Sequence, residues 1–167
     1  MGGESLSQGT TKSLPPPSLA AGSQVPSEAM ARSWYRDGLQ FTCTQCGHCC
    51  TGEPGYVWLT KKEMQALATH LQVSFDDFTR KYVRKVGIRY SLIEKPDGAC
   101  VFYDKGCTVY AARPTQCRTF PFWPENLKSR IAWNELSEEC PGVGQGRLYS
   151  VEEIGLIRRG KTDASQR

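Results

Sequence analysis

The chain is short of the residues that most enzymes use to move protons and acyl groups. It has only two histidines, His48 and His70. Neither sits in a Ser–His–Asp order or an H-E-x2-H helix signature, so acyl transfer and zinc-peptidase chemistry have no visible machinery. A nucleophilic cysteine needs a base beside it, and two histidines offer little choice. The acidic pairs Asp76-Asp77 and Glu138-Glu139 read as helix-start charge and loop solvation, not as an acid/base couple. No Gly-rich loop follows a strand in the dinucleotide-binding pattern. No stretch approaches the ~20 apolar residues of a membrane span, so no membrane association is expected. Charge of one sign is also scarce: 21 Lys and Arg against 17 Asp and Glu leave +4. Arg158-Arg159 suits the last turn of a helix, and no nucleic-acid partner is expected.

Cysteine is what the chain has in excess. Four of its eight cysteines fall in one window, Cys43-Thr-Gln-Cys46-Gly-His-Cys49-Cys50. The others are Cys100, Cys107, Cys117 and Cys140. Thiolates crowded onto one tight loop select zinc, Cu(I) or iron–sulfur clusters. Eight thiolates suffice for two four-ligand centres. On an extended loop Cys49 and Cys50 would point in opposite directions, one to each centre. Bacterial-type ferredoxins combine C-x2-C-x2-C with a distant Cys-Pro. That pattern would group Cys43, Cys46 and Cys49 with Cys140-Pro141, and leave Cys50, Cys100, Cys107 and Cys117 together. Zinc knuckles use the same C-x2-C unit, so zinc stays open. A radical-SAM motif does not fit, because Glu53 stands where its third cysteine would be. A disulfide scaffold is the competing reading of an even cysteine count. Residues 1–33 carry no basic start followed by a long apolar run, and a vicinal pair is poor disulfide geometry. A cytoplasmic location is therefore expected.

Domain organisation follows from composition. Residues 1–33, rich in Gly, Ser, Pro and Gln, cannot bury enough apolar surface and are expected to be a disordered tail; 161–167 look similar. The folded part is 34–160, a small, loop-rich α+β domain with short helices and a β-hairpin, reinforced by metal. Thr60-Lys-Lys-Glu63 is a capping box, followed by Met64, Leu67, Ala68 and Leu71 on one helical face. Ser74 starts a second helix with Phe78 and Tyr82 one turn apart. Residues 87–93 alternate like a strand, Pro96-Asp97-Gly98 turns, and 100–103 would be the returning strand. Ser150-Val-Glu-Glu153 caps a last helix with Ile154 and Ile157 inward and Gly160 at its end.

The combination C-x2-C-x2-C-C, then C-x-F at Cys100, then Cys107-Thr-Val-Tyr-Ala-Ala-Arg113-Pro-Thr-Gln-Cys117-Arg118-Thr-Phe-Pro-Phe122, then Cys140-Pro-Gly-Val-Gly-Gln-Gly146, resembles the CxxCxxCC zinc- or iron-chelating family, the YkgJ-like cysteine-cluster proteins. The resemblance spans about residues 41–146 and gives all eight cysteines a place as metal ligands. It implies chelation of zinc or iron, and for some members an Fe–S oxidoreductase role. Flagellin lysine-N-methylases contain a related cysteine-rich region, which raises a methylation role as enzyme or accessory.

Other residues are assigned around the metal. Arg113 and Arg118 flank Cys117 and could donate hydrogen bonds to thiolates or offset cluster charge, unless they form surface salt bridges. Gly47 permits the tight turn of the knuckle. His48 could replace a thiolate, or stand beside the cluster as a loop residue or proton donor. Phe120, Phe122, Trp123 and Trp133 read as core and cluster shielding. The leading expectation is an iron or iron–sulfur protein working in electron transfer or redox sensing with a redox partner protein. The other is a zinc-stapled interaction module.

Overall fold

The computed structural model describes residues 33–51, 55–162 and 164. The expected N-terminal tail lies outside them except for Ser33. The domain is a small α+β structure. Strand β1 (Leu39–Phe41) pairs antiparallel with β5 (Arg147–Tyr149), Leu39 opposite Tyr149. A second, antiparallel sheet has the order β2-β4-β3, from Trp58–Leu59, Arg89–Leu92 and Val83–Val86. The helices are α1 (Lys61–His70), α2 (Phe75–Tyr82), α3 (Thr115–Thr119), α4 (Pro124–Leu127), α5 (Arg130–Glu139) and α6 (Val151–Arg158). No helix among the described residues is long and apolar enough to cross a membrane.

The helix starts follow from their caps. Thr60 Oγ1 accepts the Glu63 N–H while the Glu63 carboxylate accepts the Thr60 N–H at 2.8 Å, so two otherwise orphan donors are satisfied. Ser150 and Glu153 repeat the arrangement at α6. Ser74 and Ser129 cap α2 and α5 through their hydroxyls. Met64, Leu67 and Ala68 bury the predicted face of α1, and Ile154 and Ile157 that of α6.

The β-hairpin exists but not where the alternation placed it. Val83–Val86, directly after α2, pairs with Arg89–Leu92 around Gly87 and Ile88. Residues 100–103 are not a returning strand. Only isolated bridges, Glu94 with Cys100 and Tyr103 with Cys107, remain there. The backbone turns at that point: the Tyr103 N–H bonds Cys100 O at 2.9 Å, and the Cys100 N–H bonds Cys50 O at 2.8 Å. Most of the expected tail 161–167 lies outside the described residues, but Ala164 is among them. Its side chain is fully buried, its N–H bonds Arg118 O at 3.1 Å, and its carbonyl accepts the Tyr149 hydroxyl at 2.5 Å.

Two small apolar cores result. One gathers Leu39, Phe41, Phe120, Phe122, Trp133, Tyr149, Ile154 and Ile157. The other gathers Leu59, Met64, Leu67, Phe78, Leu92, Phe102 and Val109. Each fully buried Phe or Leu contributes about 1.5–3 kcal/mol, a modest sum when divided between two cores. Cys43, Cys49 and Cys140 belong to the first core and Cys100 and Cys107 to the second. The thiols thus lie along the seam where the cores meet.

Candidate metal centre

The knuckle loop is built around Gly47. Its φ of 87° is left-handed, and a Cβ there would stand 2.4 Å from the Tyr103 ring. Glycine is the one residue that suits both the backbone and the space. After it, His48–Cys50 forms a 3-10 turn closed by the Cys50 N–H to Gly47 O at 2.7 Å.

That turn corrects the reading of the cysteine doublet. A 3-10 turn fans successive side chains by roughly 120° instead of reversing them. The Sγ atoms of Cys49 and Cys50 consequently lie 3.9 Å apart. Cys46 and Cys140 also have their Sγ atoms 3.9 Å apart. Four sulfurs at about 2.3 Å around a tetrahedral ion are separated by about 3.8 Å. Both pairs therefore stand at the spacing of two ligands on one ion.

Cys140 reaches Cys46 because residues 140–146 run beside β1. The Thr42 N–H bonds Gly142 O and the Gly144 N–H bonds Gln40 O, each at 3.0 Å. A Cβ on Gly142 would fall 1.9 Å from Thr42 O, so the approach requires glycine.

Six cysteines from four chain segments line one cavity of about 40 Å³: Cys43, Cys49, Cys50, Cys100, Cys107 and Cys117. Among the described residues no three His, Cys, Asp or Glu side chains already close on a single point. The donor set is nonetheless all sulfur, and all eight cysteines are free thiols. The space is that of a bare ion or a water molecule or two. Residues and cavity fit a soft, thiophilic metal ion.

Electrostatics show why the thiols favour such an ion. Burial, together with repulsion from neighbouring sulfurs, pushes Cys100 and Cys107 up, and Cys117 far up. Burial raises Cys140 to about 11, with Cys46 adding repulsion. The hydrogen bond shared with Cys49, together with burial, drives Cys50 far up. The same bond lowers Cys49 to about 7; burial opposes the shift and Arg113 assists it. Without metal the cluster is thus mostly protonated. A bound cation replaces those protons and removes the repulsion, so binding releases protons. The backbone at Phe102, Val109 and Gly142 works against the burial, lowering the Cys100, Cys107 and Cys140 thiols.

The two arginines separate. Arg113 lines the thiol cavity, its guanidinium 3.7 Å over the Tyr110 ring and its Nε donating to Tyr110 O at 3.0 Å. Arg118 donates to Thr115 Oγ1 at 3.1 Å and does not line the cavity. His48 does not join the sulfurs; its Nε2 lies 3.2 Å from Glu139 Oε2. Phe120, Phe122 and Trp133 are buried, as expected of core and shielding. Two contributors escaped the sequence reading. Glu139, expected to serve loop solvation, ends α5 and pairs with His48. The available signal was symmetry of position: His48 directly precedes Cys49 as Glu139 directly precedes Cys140. Tyr103, packed on Gly47, left no signal.

Comparison with known proteins agrees with this chemistry. The CxxCxxCC family model, described as "Putative zinc- or iron-chelating domain", matches residues 42–141. The chain belongs to this family. Every cysteine from Cys43 to Cys140 falls within the match. The chain is also similar to an uncharacterized protein of Methanocaldococcus jannaschii, 32% identical over 91 residues. The alignment covers 53% of this chain and 48% of the relative, so the chain spans about half the length of the curated relative it matches. No solved structure matches.

Proposed function

We propose that this CxxCxxCC protein holds iron, as an iron–sulfur centre, through two adjoining sets of cysteines and works in electron transfer or redox sensing. The outer set is built on Cys46 and Cys140, the inner on Cys49, Cys50, Cys100, Cys107 and Cys117, with Cys43 between them. The observation that carries the reading is the single cavity lined by six thiols from four chain segments, with no histidine or carboxylate competing among its described lining residues. A purely structural zinc site is closed on all sides. Here Cys46 is exposed, and Cys49, Cys50, Cys100 and Cys117 line an open cleft. Such an accessible edge supports exchange with a redox partner protein. When bound, the cluster supplies one-electron exchange; the chain supplies thiolate ligands, the charge of Arg113 and an aromatic screen from Phe120 and Tyr110. Eight thiols held free suit a reducing compartment such as the cytoplasm.

A second reading, zinc in a stapled interaction module, is favoured by one observation. The space between the six thiols is about 40 Å³, enough for an ion, whereas a cubane requires its walls to part. Metal analysis with a visible spectrum on anaerobically purified protein separates the two. Iron with matching sulfide and broad absorption near ~400 nm is the expected result. A colourless protein with about two zinc per chain overturns the redox reading, because zinc has no redox chemistry.

A further inference from the structure

Beside the thiol cavity lies a cleft of about 600 Å³. Four cysteines, Cys49, Cys50, Cys100 and Cys117, line both spaces. The volume falls among small-molecule sites and is far more than a single ion requires. The carboxylates lining the cleft are Glu94 and Glu139, with His48 beside Glu139 and no lysine or arginine among the described lining residues. Glu94 is already engaged, accepting from the Gly55 N–H at 2.6 Å and from Arg84 at 3.2 Å. Glu139 keeps one oxygen for a ligand: it is 66% exposed, and its pairing with His48 uses Oε2. From it an aromatic wall continues. The His48 ring lies 6.2 Å from Phe120, and Phe120 meets Trp123 edge-on at 5.2 Å. Tyr56 also lines the cleft, but its ring is already taken, stacked on Trp58 at 4.6 Å with the Arg84 guanidinium 4.8 Å from its centroid. An anion here would meet carboxylates and sulfur. An ammonium or guanidinium meets acceptors and ring faces, which attract it.

We propose that this cleft binds a compact organic cation, an amine or guanidine on a short apolar stem. Its head lies at Glu139 and its stem along Phe120 and Trp123. The site goes beyond the metal reading, because the carboxylate and the rings are in place whichever metal the sulfurs hold. It would bring the bound molecule against Cys49, Cys50, Cys100 and Cys117, the inner cysteines that line the cleft.

Titration calorimetry of the metal-replete protein tests this with four probes of matched length: agmatine, 1,5-diaminopentane, pentane-1,5-diol and glutarate. The two cations are expected to bind saturably, at least tenfold tighter than the diol, and glutarate not at all. Glu139→Gln is expected to weaken the cations about tenfold. Trp123→Leu, at a half-buried position on the path of the stem, is expected to weaken them about threefold. Metal content is measured on every sample, so failed metal loading and failed cation binding are read separately. No saturable binding, equal binding of diol or glutarate, or full affinity in Glu139→Gln overturns the proposal. So does binding of Mg²⁺ in a parallel titration without binding of either amine.

Discussion

Glu63 Oε1 accepts the backbone N–H of Thr115 at 2.7 Å, joining the start of α1 to the start of α3, the helix that carries Cys117. The same carboxylate accepts from Thr60 through its other oxygen, so one side chain caps two helices. A local capping signal thus does long-range work: it sets where a cavity cysteine stands relative to the second core.

Glu63→Gln should therefore destabilise the domain by about 1–2 kcal/mol, since charge-assisted bonds become neutral ones. The loss should depend on pH. Burial alone would raise the Glu63 carboxyl, but hydrogen bonds from Thr115 and Thr60 outweigh it and hold the group below its ordinary value. A depressed carboxyl contributes stability above its unfolded pKa and loses it as pH falls through the folded one. In urea unfolding the gap between wild type and Glu63→Gln should be constant near neutrality. It should close as pH drops below about 4. A gap that persists in acid would mean that Glu63 acts by packing alone.

Gly47→Ala should cost about 1–2 kcal/mol for the left-handed backbone, before any clash is counted. The overlap with Tyr103 adds to this, because the new methyl would meet its ring. Tyr103→Ala in the same chain should recover the steric part and leave the backbone part. Thermal unfolding and metal content of both variants check the division. Full recovery in the double variant would show that the positive φ is not needed.

Much of this was legible because the signals were local. Capping boxes at Thr60 and Ser150, the Pro96-Asp97-Gly98 turn and the cysteine run each depend on a few adjacent residues. The failures share a different cause. Val83–Val86 follows α2 without a breaker and does not alternate, so only its pairing with Arg89–Leu92 makes it a strand. Cys100-Val-Phe-Tyr103 has strand composition, yet its backbone closes into a turn, with the Tyr103 N–H on Cys100 O and the Cys100 N–H on Cys50 O. The cysteine doublet was misjudged for the same reason: a turn set by Gly47 rotates Cys50 toward Cys49. Helix α5 was passed over although Ser129 caps it, and Trp133, Leu136 and Cys140 follow at helical spacing.

The two thiol groupings should fail separately. Cys140→Ser removes one sulfur of the pair with Cys46, and Cys117→Ser removes one from the cavity wall. Each should lose about half of the bound metal by elemental analysis, and the double variant nearly all of it. Gly142→Ala should imitate Cys140→Ser, because its methyl would collide with Thr42 O and push residues 140–146 off β1. Loss of all metal from either single serine variant would point instead to one interdependent centre.

Arg113 and Arg118 flank Cys117 alike in sequence but differ in what they touch, and this makes a matched pair of substitutions. Arg113 lines the thiol cavity and its charge favours ionised sulfur at Cys49, Cys107 and Cys117. Arg113→Met keeps most of the stem's apolar packing and removes that charge. Metal release to a chelator should then speed up by about tenfold, equivalent to ~1.4 kcal/mol. The increase should be smaller in high salt, which screens part of the interaction in both proteins. Arg118→Met removes a bond to the Thr115 hydroxyl on α3 and should lower the melting temperature while leaving the release rate near that of wild type. Arg113→Lys should fall between, since an ammonium keeps the charge but cannot stack on Tyr110 as a planar guanidinium does. Equal release rates for Arg113→Met and Arg118→Met would show that the charge at residue 113 does not act on the metal.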